Sequence, residues 1–171
     1  MRKIVVRKLF VFTAALATVG LFGFANAVQA APVAVTNAGF ETPVLSDGSF
    51  SAATPSGWDL VSGSGVGVFN PTTTPFPGGT PEGSNAMFST STSVIGQTTG
   101  ETIDIGDTFT LTVALGNRAD LVARDMRIHL AAADGTIIAS SAIFGEGDIA
   151  NGTFADVTAS FTADAMTAGL G

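Results

Sequence analysis

Beyond residue 30 the chain alternates between apolar and polar positions. In Asp107–Gly116, Phe109, Leu111, Val113 and Leu115 fall on one parity and Thr110, Thr112 and Ala114 on the other. The same period of two runs through Arg124–Ala132, where Met126, Ile128 and Leu130 oppose Arg127 and His129. It returns after Val157, where Val157, Ala159 and Phe161 oppose Thr158, Ser160 and Thr162. Successive side chains of a strand point to opposite faces, so each run is predicted to be a half-buried strand of an antiparallel sheet. Further strands are expected at Val33–Asn37, Trp58–Ser62, Gly65–Phe69, Asn85–Ser89, Ser93–Thr98 and Thr136–Phe144. Asp134-Gly135 signals a tight hairpin and Asn151-Gly152 a turn. The stretch Asn70–Gly83 carries Pro71, Pro75, Pro77 and Pro81 and is predicted to be a loop, because proline cannot donate to a ladder. No segment keeps a helical period. The pattern predicts an all-β chain, a sandwich or jelly roll, forming one domain over residues 31–171.

The first thirty residues follow another logic. Arg2, Lys3, Arg7 and Lys8 precede an apolar run, Leu9–Ala25, and Asn26-Ala27-Val28-Gln29-Ala30 follows it. Positive start, short apolar middle and small-x-small exit predict a signal-peptide helix, removed after Ala30; cleavage after Ala27 meets the same rule. The rival reading, an uncleaved anchor, wants ~20 apolar residues, and this run falls short. The expected destination is secreted, extracellular or on the cell surface of a bacterium, with no membrane association after cleavage.

Dividing the chain there changes the charge. Residues 31–171 hold three basic groups (Arg118, Arg124, Arg127) and all 14 acids, a net of −11 with no lysine. That excludes nucleic acid as a partner and argues against anionic membranes. With no cysteine in the chain, disulfides, thiol catalysis and thiolate metal sites are excluded as well. The single histidine, His129, shares the Arg127 side of its strand; no G-x-S-x-G elbow surrounds a serine, and one histidine does not make a zinc site. Carboxylates remain. Calcium takes six to eight oxygen ligands, and three places offer carboxylates: Glu41; the cluster Glu101, Asp104 and Asp107; and Glu146-Gly147-Asp148. The last two read equally as ordinary turn decoration. Aromatic platforms for a sugar are few, since tyrosine is absent; Phe69 and Phe76, in the Pro-rich region, are the candidates, with loop anchoring as their alternative role. Trp58 is expected at a strand start, with its N–H on a backbone partner.

Two stretches carry a resemblance. Val35-Thr36-Asn37-Ala38-Gly39-Phe40-Glu41-Thr42-Pro43 followed by Gly57-Trp58 resembles the opening of carbohydrate-binding-module-like jelly rolls. Pro81–Phe88, Ile95-Gly96-Gln97-Thr98 and Thr108–Arg118 follow in the order such domains show. The likeness is to secreted bacterial proteins of the PEP-CTERM kind, which are similar to the Stig cyclases, calcium-containing enzymes that fold and rearrange indole-alkaloid precursors. It implies an antiparallel jelly-roll β-sandwich of the galactose-binding-like type. It also implies a structural Ca2+ bound by Glu41, with Phe40 and Trp58 as core positions. The late Phe-Asp-x-Val-like strand, the Pro-Glu-Pro motif and a match to the cyclases' late catalytic acid are not found. The chain is therefore expected to be a fragment lacking its final strand or strands.

Two functions follow as expectations. One is a secreted, non-enzymatic binding or extracellular-matrix-associated domain with polysaccharide as partner. The other is a calcium-dependent Stig-type cyclase using a carboxylic acid as general acid, which needs an apolar, aromatic-lined pocket with an acid in it.

Overall fold

The computed structural model describes residues 31–122 and 124–170; the expected signal peptide lies outside the described residues. Nine strands follow in order: β1 Phe50–Ser51, β2 Asp59–Gly63, β3 Val66–Phe69, β4 Ala86–Ser89, β5 Ser93–Gly96, β6 Thr108–Asn117, β7 His129–Ala131, β8 Ile137–Ser140 and β9 Thr153–Thr162. No helix occurs among the described residues. Every ladder is antiparallel: β1-β3-β4, β2-β5, β6-β9 and β7-β8.

The longest ladder is the one whose sequence alternates most cleanly. β6 and β9 pair over ten residues without a register shift, from Thr108 opposite Thr162 to Asn117 opposite Thr153. Their inner parity supplies Val113, Leu115, Val157 and Ala159, which meet Val68 of β3 and Met87 of β4 in one buried cluster with Phe40, Met126 and Ile128. Two sheets thus face each other across a shared core, and the chain is a β-sandwich. Each large apolar side chain buried there contributes about 1.5–3 kcal/mol. A second cluster lies on the opposite parity: Phe69, Phe76, Ala86, Phe88 and Ala114, with Phe154 packed against it.

Two expected features take a different form. Val33–Asn37 forms no strand. The side-chain amide of Gln97 accepts from Thr36 N at 2.7 Å and donates to Thr36 O at 3.0 Å, so one side chain supplies the pairing a neighbouring strand would give. In Arg124–Ala132 only His129–Ala131 is regular strand, while Met126 is tied to Phe144 by an isolated bridge. The two turns are as the sequence predicts. Gly135 and Gly152 take φ of 88° and 73°, the left-handed region that favours glycine.

The N-x-x-F-E stretch is organised by its asparagine. Asn37 Nδ2 donates to Thr42 O and Ser56 O, each at 3.0 Å, and Oδ1 accepts from Thr42 N at 3.0 Å. That clasp turns Phe40 into the core, where it is fully buried, its ring centroid 5.3 Å from that of Trp58. Trp58 is half-buried, and its indole N–H donates to Asn37 O at 3.3 Å.

Candidate functional site

The outer parity of β9 carries Phe154, Asp156, Thr158, Ser160 and Thr162. Toward the β6 start this face is a hydroxyl ladder: Thr108 meets Thr162 and Thr110 meets Ser160, each at 2.9 Å. Toward the β6 end it changes character. Opposite Phe154 stands Gly116, and the missing side chain lets two rings close over the strand. Phe76, from the Pro-rich loop, stacks on Phe154 with centroids 4.2 Å apart and planes 24° from parallel.

Beside this pair opens a cleft of about 550 Å3, within the range of small-molecule sites. Its apolar walls are Pro77, Pro81 and Phe154, and its polar groups include Thr80, Asn151 and Asp156. Asp156 is the one carboxylate among the lining residues. Phe154 and Asp156 are two residues apart on one face, so their Cα atoms lie ~7 Å from each other. The loop is held against the turn before β9: a Cβ on buried Gly152 would sit 2.9 Å from Pro77 Cδ, which leaves room there for glycine alone.

Behind the turn lies a buried asparagine. Asn117, at the end of β6, is 2% exposed. Its Nδ2 donates to Ile149 O at 2.7 Å and to Asn151 Oδ1 at 2.8 Å, while its backbone oxygen accepts from Gly152 N at 2.8 Å. Its Oδ1 is buried without a partner. An orphaned acceptor costs about 1–3 kcal/mol, so the two bonds made by Nδ2 must outweigh it.

The residues singled out by sequence fall elsewhere or take other work. Phe69 and Phe76, the platform candidates with loop anchoring as their alternative role, are both placed inside the protein rather than on its surface. Phe76 is 0% and Phe69 9% exposed, both inside the second cluster, and neither ring offers a face to a sugar. Phe69 packs edge-on against Phe88, and the Arg118 guanidinium lies 5.5 Å from its centroid. Loop anchoring, the alternative role, is what Phe76 performs.

Glu41 is half-buried, and its Oε1 accepts from the backbone N–H groups of Ser84 at 3.0 Å and Asn85 at 2.9 Å. Asn85 donates in turn from Nδ2 to Phe40 O and Pro43 O, each at 2.9 Å, and its Oδ1 is buried without a partner. Around Glu41 the structure therefore shows one carboxylate, one oxygen of it engaged by amides, and one orphaned amide oxygen. Among the described residues no group of three or more His, Cys, Asp and Glu could hold a metal. Calcium takes six to eight oxygens, backbone carbonyls among them, so a Ca2+ at Glu41 would need main-chain oxygens or water beside this carboxylate.

The other acids decorate turns. Asp107 Oδ2 accepts from Asp104 N at 3.3 Å, and Asp148 Oδ2 accepts from Gly145 N at 2.7 Å. His129 pairs with Ser140 across β7-β8, Nδ1 to Oγ at 2.7 Å. Burial, and then the Arg127 charge, hold its pKa below the ordinary value. Asp156 and Asn151, two of the polar groups of the cleft, were not singled out as site residues by the sequence. Asp156 stands on an outer parity beside threonines, and only the fold brings Pro77–Pro81 over it.

A model of the HpiC1-like family, described as HpiC1 cyclase, matches residues 31–171. Neither the search of curated proteins nor that of solved structures returned a match.

Proposed function

The chain belongs to the HpiC1-like cyclase family, and from that premise we propose that it is a cyclase-type enzyme acting on an apolar, olefinic small molecule of the prenylated-indole class, with Asp156 as general acid. The observation that carries this reading is the placement of Asp156: the lone carboxylate among the residues lining the cleft, on the same strand face as the Phe154 ring. In this reaction the Asp156 carboxyl gives a proton to an alkene carbon, whose π pair forms the new C–H bond. A carbocation remains on the neighbouring carbon. A second π bond attacks it to close the ring, and the product then loses a proton, which returns to the carboxylate. The charge pattern of residues 1–30 supports export of the enzyme from the cytoplasm.

The polysaccharide reading, drawn from the acidic surface and the Thr/Ser/Gly-rich faces, has Phe69 and Phe76 as its aromatic candidates, and both are buried. The test of the cyclase reading is turnover of a prenylated indole by the purified chain and by Asp156→Asn. Loss of general acid catalysis should lower kcat by about 10²–10⁴-fold with KM little changed. Undiminished kcat in Asp156→Asn would remove Asp156 from the chemistry.

A further inference from the structure

The buried amide at the end of β6 settles the orientation of a second amide in the cleft. Oxygen and nitrogen of an asparagine amide are told apart by their partners. Asn117 faces two acceptors, Ile149 O at 2.7 Å and Asn151 Oδ1 at 2.8 Å. A carbonyl can only accept, so the group facing Ile149 O must be Nδ2. Both Nδ2 protons are thereby committed, one to each partner, and Oδ1 is left orphaned. The group of Asn151 that faces Asn117 must accept, so it is the oxygen. The NH2 of Asn151 then projects the other way from an exposed residue that lines the cleft, and it makes no hydrogen bond to a described residue.

We propose that Asn151 is the specificity-determining donor of this cleft, binding one uncharged hydrogen-bond acceptor on the substrate, a carbonyl for example, and that Asn117 is the positioning residue that aims it. This rests on the cleft being the substrate site, and it deepens that reading by naming what the substrate must carry besides its alkene. Electrostatics narrows the class to a neutral acceptor. The chain carries a net charge of −7, so an anionic head would meet repulsion that a carbonyl avoids. The orphaned Oδ1 has a functional reason in this arrangement: turning the Asn117 amide to satisfy it would set oxygen against Ile149 O and against Asn151 Oδ1, and would release the donor from its fixed direction.

The test is a pair of probes measured by titration calorimetry: a prenylated indole carrying an acetyl group, and the same compound without it. One added hydrogen bond should make the wild-type chain bind the acetyl compound roughly three- to tenfold more tightly. Asn151→Asp keeps an oxygen for Asn117 to donate to, but replaces the free NH2 by a second oxygen. It should bind the acetyl compound no better than the plain one. Asn117→Ala, read by the same affinity ratio and not by its melting temperature, should lose the preference too. A wild-type ratio that survives in Asn151→Asp overturns the proposal; one that survives in Asn117→Ala overturns the positioning role. Turnover separates this inference from the one beneath it. A preference abolished by Asn151→Asp in a chain that cyclises neither probe would leave Asn151 as the recognition group and remove the cyclase reading.

Discussion

Glu41 sits 43 residues in sequence from Ser84 and 44 from Asn85, yet one of its oxygens holds both of their backbone N–H groups. The carboxylate fastens the segment before the sandwich to the head of β4, and Asn85 returns the tie through Phe40 O and Pro43 O. Hydrogen bonds to a charged acceptor are worth about 1.5–3 kcal/mol each, and a half-exposed group realises the low end. Glu41→Ala should therefore lower unfolding stability by about 1.5–3 kcal/mol in urea titration with chelator present, and Glu41→Gln, which keeps an acceptor, by less. Coincident wild-type and Glu41→Ala transitions in chelator would show that the amide contacts contribute nothing and that any role of Glu41 needs an ion. From sequence, Glu41 was legible as an oxygen donor worth attention. Its partners were not, because backbone amides carry no residue signature and a contact across some forty residues leaves no local pattern. Asn151 and Asp156 were hidden for a related reason: a turn asparagine and an outward aspartate look like surface until a proline loop is folded over them.

At the scale of elements, the legible strands were those whose two faces differ in chemistry. Alternation placed β6 within a residue of its observed ends, because Phe109, Val113 and Leu115 must be inside while Thr108, Thr110 and Thr112 pair outside across the ladder. It located β9 by its second half only, since Phe154 breaks the parity by pointing outward to meet Phe76. Val33–Asn37 read as a strand because its side chains suit one, but Gln97 took up the backbone groups of Thr36 that a strand would have paired. The ring pair over β6 gives a prediction at this scale. A Cβ at Gly116 would overlap the Phe154 ring and stand 3.0 Å from Phe76 Cζ. Gly116→Ala should destabilise the chain by about 1–3 kcal/mol, as overpacking of a filled site does. Gly116→Ala combined with Phe154→Leu should recover part of that loss in the same urea titration. Equal loss in the single and double variants would mean that the rings are not what the glycine accommodates.

For the molecule as a whole, pH acts through few groups, and their signs can be worked out. His129 has its pKa held below 6.5, first by burial and then by Arg127. As pH falls, the unfolded chain takes up this proton before the folded one, so the stability involved is complete above 6.5 and is lost as pH drops through the lower folded value. The group is largely solvated, and the effect is small. Asp134 and Asp164 have their carboxyls held below 3.8, in each case foremost by a backbone N–H, from Thr136 and from Thr167 respectively. Their stabilisation is present above 3.8 and disappears as pH falls further, when the unfolded chain binds protons first. Between these windows the chain approaches its isoelectric point of about 4.3, and self-repulsion from its excess of acids relaxes. The melting temperature of the wild type should therefore fall slightly from pH 7.5 to 5.5 relative to His129→Gln, which keeps a hydrogen-bonding group for Ser140. Both proteins should then lose stability together below pH about 4. Parallel wild-type and His129→Gln profiles across the upper window would show that the imidazole is no less basic in the folded chain than in the unfolded one. The hydrogen bond to Ser140 would then offset the burial that the fold imposes on the ring.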